Sequence, residues 1–118
     1  MSLYYAAGSE TSQFTPEQLK QAVFSALDAL GPRNKVLAIP PDYTRYHSRA
    51  GEITRYIYDY YGERLTDILP ALGTHFAMSA KEIEHMFPGV PASLFRVHDW
   101  RQGLVTLGEV PGHYVKQV

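Results

Sequence analysis

The stretch KVLAIPPDYTR, residues 35–45, decides the fold that we expect for this chain of 118 residues. It begins as a short apolar strand, Lys35 to Ile39, and two prolines end that strand because proline cannot donate to a sheet. An acid, a hydroxyl and a guanidinium then follow within four residues, directly before a predicted helix. A strand that leads through a polar loop into a helix is typical of α/β domains, and free N–H groups at the helix start favour anions.

A second polar loop follows a second apolar strand. The strand is predicted over Thr66 to Leu72, and the loop is Gly73-Thr74-His75. Strands that alternate with helices predict a mainly parallel sheet flanked by helices, an α/β domain with a three-layer-like arrangement. Ligands of such sheets bind beyond the carboxyl ends of the strands, so we expect both loops to border one crevice.

Hydrophobic spacing and capping signals predict the remaining elements. Helices are expected from Pro16 to Leu30, from Ser48 to Tyr61 and from Ser79 to Phe87, the first and third opened by capping boxes. The second helix presents Ile53, Ile57 and Tyr60 as its core face, which leaves Tyr58 off that face. Extra strands are predicted near the C-terminus at Leu94–Val97, Leu104–Val110 and Tyr114–Val118.

Composition limits the classes of protein. A chain of this length forms one domain with one core. The net charge of −1 and the scattered Lys and Arg residues argue against nucleic-acid binding. No apolar run approaches the roughly 20 residues that a membrane span needs, which argues against a membrane partner. The start has no signal-peptide pattern and there are no cysteines, so we expect a cytoplasmic protein.

The first loop carries groups that bind a small carboxylate. Arg45 offers a planar fork of donors that fits a carboxylate, although a surface pair with Asp42 is an alternative. Asp42 is expected either to orient Arg45 or to accept a bond from its own backbone as a turn residue. Thr44 either donates to the ligand or helps to cap the following helix.

The second loop supplies the candidate for acid–base chemistry. His75 is the favoured general acid or base, because imidazole titrates near neutral pH, and a purely structural histidine is the alternative. Gly73 permits close backbone approach, and Thr74 lies beside it. His47 is a secondary candidate next to the first loop. The five histidines lack metal-ligand spacing, so no metal site is predicted, and a metal hydrolase using His75 and His98 is a distant alternative.

These motifs, in this order, resemble the N-terminal domain of the lactate racemase family. The resemblance is carried by Asp42-Tyr43-Thr44-Arg45, Ala71-Leu72-Gly73-Thr74-His75, Ser79-Ala80-Lys81-Glu82-Ile83 and Val97-His98-Asp99. Members of that family are nickel-pincer-dependent racemases and epimerases of 2-hydroxy acids. The resemblance implies that Arg45 binds the substrate carboxylate, that Asp42 and Thr44 shape this contact, and that His75 is one of two catalytic histidines.

The resemblance also implies an incomplete enzyme. Family members are longer, and the second catalytic histidine, the lysine that tethers the nickel-pincer nucleotide and the nickel-ligating histidine lie beyond the matching part. We therefore expect the chain to be inactive alone and to need a C-terminal domain or a partner subunit. The other hypothesis is a non-enzymatic domain that binds a small carboxylate anion.

Overall fold

The computed structural model describes residues 2–117, which form a mixed helix and strand fold with two parallel strands. Its helices and strands, in chain order, are α1 (Pro16–Leu30), β1 (Val36–Ala38), a 3₁₀ helix (Tyr43–Ser48), α2 (Ala50–Tyr61), β2 (Leu65–Ile68), α3 (Ala80–Met86) and α4 (Gly112–Gln117). Single 3₁₀ turns lie at Gly62–Arg64 and Ala92–Leu94. None of the described helices has the length and apolar character to cross a membrane.

The two predicted capping boxes are present. The side chain of Thr15 accepts from the backbone N–H of Gln18, and the Gln18 side chain accepts in return from the Thr15 N–H. Ser79 and Glu82 make the same reciprocal pair at the start of α3. Both helices therefore begin where the sequence predicts, because the first free N–H groups have side-chain partners there.

The sheet aligns the ends of its two strands. In register, Val36 is opposite Leu65 and Ala38 is opposite Ile68, with an irregularity between Val36 and Leu37. Beyond the strands, Pro41 and Ala71 form a single parallel bridge, and the Ala71 N–H donates to the carbonyl of Pro40 at 2.7 Å. The polar loops that follow β1 and β2 consequently start side by side. The predicted α/β class, with parallel strands, is confirmed.

Helix α2 packs on the core with a wider face than the predicted one: Ile57 and Tyr60 of the predicted face contact the core, and further residues join them. Its buried residues include Gly51, Thr54 and Tyr61, and Tyr58 is half-buried against the core. A side chain at Gly51 would place its Cβ 1.9 Å from the carbonyl oxygen of Met86, so only glycine permits this approach of α2 to α3. That contact fixes the rotation of the helix, and the prediction that Tyr58 lies off the buried face is wrong.

The predicted C-terminal strands are not found in the part of the chain that the structure describes. Residues 94–97 hold the end of a 3₁₀ turn and one parallel bridge, between Phe95 and Ile68, and residues 104–110 have no regular structure. Residues 114–117 belong to α4, and Val118 lies outside the described residues. Residues 101–117 are exposed throughout, so their alternating apolar pattern has no neighbouring strand to pair with.

The predicted three-layer arrangement is likewise not seen among residues 2–117. The buried residues Leu65, Ile68 and Phe87 lie in the core between the sheet and the helices. On the other face of β1, Leu37 and Ile39 remain 51% and 61% exposed. The described helices thus cover one face of the sheet and leave the other open.

Candidate functional site

Asp42 lies at the centre of the site, directly after β1. Pro40 and Pro41 end the strand, and Asp42 then caps the 3₁₀ helix, with its Oδ1 accepting from the backbone N–H of Thr44 at 3.2 Å. The hydroxyl of Thr44 donates to the same oxygen. The residue is only 5% exposed. The expectation that Asp42 acts as a turn residue bonding its own backbone therefore agrees with the geometry.

The structure brings His75 to Asp42 from the neighbouring loop. Nδ1 of His75 lies 2.7 Å from Oδ2 of Asp42. The imidazole arrives there because residues 72–75 form a tight turn, in which the His75 N–H donates to the carbonyl of Leu72 at 3.0 Å. Gly73 supplies the positive φ of 59° that this turn requires. The two loops thus meet at the carboxyl ends of the parallel strands.

The contact with Asp42 determines the tautomer of a neutral His75. An ionised carboxylate only accepts hydrogen bonds, so Nδ1 must carry the proton that it shares with Oδ2. Nε2 is then the free, basic nitrogen, and the His75 side chain is 54% exposed. The exposed side of the ring therefore presents an oriented proton acceptor.

The carboxyl group of Asp42 is held in its ionised form. Burial by itself would raise the pKa of Asp42, but the hydrogen bonds from Thr44 and His75 and the charge of a protonated His75 outweigh it. The net result is a pKa below the ordinary value of 3.8. Near neutral pH the site therefore contains a fixed negative charge beside Nδ1 of the imidazole.

Arg45 extends the hydrogen-bonded group to the surface. One of its terminal nitrogens, Nη1, donates to the Thr44 hydroxyl at 3.3 Å. Arg45 is exposed, and within residues 2–117 it forms no ion pair with a carboxylate. The alternative in which Arg45 pairs with Asp42 is therefore not what the structure shows. Four of the five guanidinium N–H groups have no hydrogen-bond partner among these residues.

The secondary candidates occupy different positions. Gly73 and Thr74 lie in the exposed turn beside His75, where Gly73 has a structural reason to be glycine. His47 is exposed and stacks edge-on against Tyr46, with ring centroids 5.3 Å apart. It has no contact in the hydrogen-bonded group Arg45–Thr44–Asp42–His75 that the described residues define.

A cavity that was not predicted from the sequence lies elsewhere, and Arg45, Thr44, Asp42 and His75 do not line it. It has a volume of about 630 Å³ and runs along α2, between α1 and α3, with His47 and His85 at one end. Nδ1 of His85 is 2.9 Å from the hydroxyl of Tyr43, a contact between residues 42 positions apart that no local pattern signals. The cations lining the cavity, Lys20, Arg49 and Arg55, pair with Glu52 and Asp59, so they are less available to an anion than Arg45 is.

The residues present do not fit a complete nickel-pincer site. Among residues 2–117, no group of three or more His, Asp or Glu side chains is placed to hold a metal ion. His98 is half-buried and forms no such group with His75. Lys116 is exposed on the short helix α4. The described residues therefore include a guanidinium without a carboxylate partner and an oriented imidazole, and no group of side chains placed to hold a metal ion.

Comparison with known proteins found no relative of this chain. No protein-family model, curated protein or solved structure matches the chain. The similarity to lactate racemases is thus carried by the short motifs quoted above, and any function must be argued from the site itself.

Proposed function

We propose that the hydrogen-bonded group Arg45, Thr44, Asp42 and His75 binds a small 2-hydroxy carboxylate and contributes the acid–base histidine of a racemase or epimerase. The observation that carries this proposal is the 2.7 Å contact between buried Asp42 and half-exposed His75, at the point where two parallel strands end. An imidazole that a buried carboxylate orients, with its other ring nitrogen free, is an arrangement suited to acid–base chemistry.

Arg45 provides the anion contact in this proposal. A guanidinium without a carboxylate partner offers two parallel N–H groups to a carboxylate, and the planar fork fixes the orientation of the bound acid. The Thr44 hydroxyl connects Arg45 to Asp42, so the anion site and the base are held in one group.

His75 then acts on the hydroxyl group beside the carboxylate. Its Nε2 takes the hydroxyl proton, and Asp42 stabilises the imidazolium that forms. The lactate racemase resemblance suggests a nickel-pincer nucleotide as the hydride acceptor. The residues that would attach this nucleotide are not among those described, so we propose that a C-terminal domain or partner subunit brings it.

The remaining expectations belong to the same proposal. We propose a cytoplasmic location, in keeping with the chemistry of a metabolite carboxylate. We further propose that the three-layer arrangement becomes complete when another subunit covers the exposed face at Leu37 and Ile39.

The alternative is a domain that binds carboxylates without catalysis. It is favoured by one observation, that the exposed Arg45 has no carboxylate partner among residues 2–117, since anion binding by a guanidinium needs no catalytic group. Racemisation separates the two functions: the optical rotation of (S)-lactate is followed with the chain, the pincer nucleotide and the C-terminal domain or partner subunit together. A loss of rotation that requires His75 supports the racemase, and unchanged rotation with demonstrable lactate binding supports the alternative.

Carboxylate binding is tested by titrating the ¹⁵N-labelled chain with lactate and following its amide signals. We expect the signals of residues 42–45 and 73–75 to shift, and Arg45→Ala to weaken binding by about 10- to 150-fold, the equivalent of one charged hydrogen bond. The matched control is Arg101→Ala, which removes an exposed guanidinium that stacks on Trp100 far along the chain. Equal affinities of the Arg45→Ala variant and the unsubstituted chain would contradict the assigned role.

A further inference from the structure

Within the described residues, one face of the sheet is largely uncovered at β1. Leu37 in β1 and Ile39, the residue directly after it, flank buried Ala38, and in an extended chain such alternate side chains point to the same face, here away from the core. They are 51% and 61% exposed. Parallel strands are normally buried on both faces, and here only one is.

The outer edge of β1 is also open. Within the described residues the sheet has two strands, and β2 occupies one side of β1. Along the other side runs an apolar cleft of about 310 Å³, whose lining includes Leu27, Leu30 and Ile57. An uncovered strand edge beside an apolar cleft is a surface suited to another segment of polypeptide.

The same chain carries an apolar segment without a place to pack. We call residues 104–110 the C-terminal segment; its Leu104, Val105, Leu107 and Val110 are 63%, 82%, 99% and 61% exposed. Glu109 is its only charged residue. Interface cores are depleted in charge and enriched in apolar side chains, and this segment has that composition.

The described chain exposes more surface than a compact monomer of its mass, and the exposed N-terminal residues 2–13 contribute to this excess together with residues 101–117. The accessible surface is 9031 Å², whereas a compact monomer of 13.3 kDa exposes about 6,450 Å². The Cα radius of gyration is 16.9 Å, against about 13.5 Å for a compact chain of this length. The excess of about 2,600 Å² per chain exceeds the roughly 800 Å² per partner of a standard stable interface.

We propose that the chain forms a two-fold dimer in which the C-terminal segment of each copy covers the open sheet face and β1 edge of the other. A second copy is the occupant because one chain carries both uncovered surfaces. In a two-fold dimer the segment of each chain covers the sheet face of the other, so both surfaces of both chains are buried. The proposed carboxylate site, Arg45, Thr44, Asp42 and His75, lies beyond the ends of the strands and is not part of the open sheet face or the β1 edge. This dimer therefore does not depend on the proposed function.

Sedimentation equilibrium of the full chain over a range of concentrations tests the dimer. We expect a species of twice the monomer mass, and we expect Leu107→Lys and Ile39→Lys each to raise its dissociation constant about tenfold or more. Both side chains are largely exposed, so the fold of one copy should survive. The matched control is Leu3→Lys, which changes a leucine that is 79% exposed in the N-terminal stretch and should leave the dimer intact.

Cross-linking distinguishes this dimer from a segment that folds back on its own chain. Light and ¹⁵N-labelled chains are mixed, and a photoreactive residue is placed at position 107. Products between position 107 and β1 that join light to heavy chains support the dimer. Products found only within one chain, a monomer at every concentration, or a dimer that Leu107→Lys and Ile39→Lys do not weaken would each overturn the proposal.

Discussion

Replacing Asp42 tests the most specific feature of the site. Asp42→Ala removes the cap of the 3₁₀ helix, the bonds from the Thr44 backbone and hydroxyl, and the contact with His75. The cap contributes about 1 kcal/mol, and the bond to His75 contributes about 1 kcal/mol because the imidazole is half-exposed. With a further loss from the Thr44 hydroxyl, we expect urea unfolding to show about 2–3 kcal/mol less stability.

Asp42→Asn removes the negative charge of residue 42 but keeps an oxygen that can cap the 3₁₀ helix. Its amide oxygen can still accept from Thr44, so we expect a loss of only about 1 kcal/mol at neutral pH. Its amide nitrogen is a donor and now faces Nδ1 of His75, so Nδ1 must become the acceptor and Nε2 must carry the proton. The ¹⁵N chemical shifts of the imidazole should therefore report a change of tautomer, from Nδ1–H to Nε2–H, and a loss of the free base.

The stability of the folded chain should depend on pH, and the lowered pKa of Asp42 gives the direction of this dependence. The pKa of Asp42 is lowered in the folded chain, so the folded state binds fewer protons than the unfolded state near pH 4. The stability contributed by the carboxylate is thus fully present above about pH 5 and is lost as the pH falls through the folded pKa. The difference between the original chain and Asp42→Asn should shrink below the ordinary value of 3.8. A difference that is constant with pH, or an unchanged tautomer, would refute the Asp42–His75 contact.

Three further substitutions test the elements that hold the site. Gly51→Ala should destabilise the chain by about 1–3 kcal/mol, because the new Cβ meets the Met86 carbonyl, and thermal unfolding measures the loss. Gly73→Ala should cost about 1–2 kcal/mol in the same assay, since the φ of 59° is strained for alanine although the space is open. Thr15→Ala should remove about 1 kcal/mol by breaking the capping box, while Ser12→Ala, at an exposed position before the helix, should change stability little.

Local chemistry made part of this fold predictable. The capping boxes at Thr15 and Ser79 and the prolines after β1 act through neighbouring residues, and the helix starts and the end of that strand follow from them. The meeting of the two loops was also expected, because parallel strands place their carboxyl ends at one edge. Their roles in binding and catalysis stay predictions.

Other features depend on contacts that are distant in sequence. The rotation of α2 is set by Gly51 against Met86, which a hydrophobic pattern on one helix cannot show. The strand pattern of residues 104–110 is present in the sequence, but a strand needs a neighbour, and none is available within the described residues. The contact between Tyr43 and His85 likewise joins a loop to α3 and has no local signal.

The preference for a 2-hydroxy acid over the acid without the hydroxyl tests the central claim most directly. Calorimetry measures the affinities of lactate and propionate for the original chain and for His75→Ala. We expect lactate to bind about 2- to 12-fold more tightly to the original chain, the equivalent of one hydrogen bond, and His75→Ala to bind both acids equally. Equal affinities in the original chain, or a lactate preference that survives His75→Ala, would contradict a site in which His75 acts on the hydroxyl group.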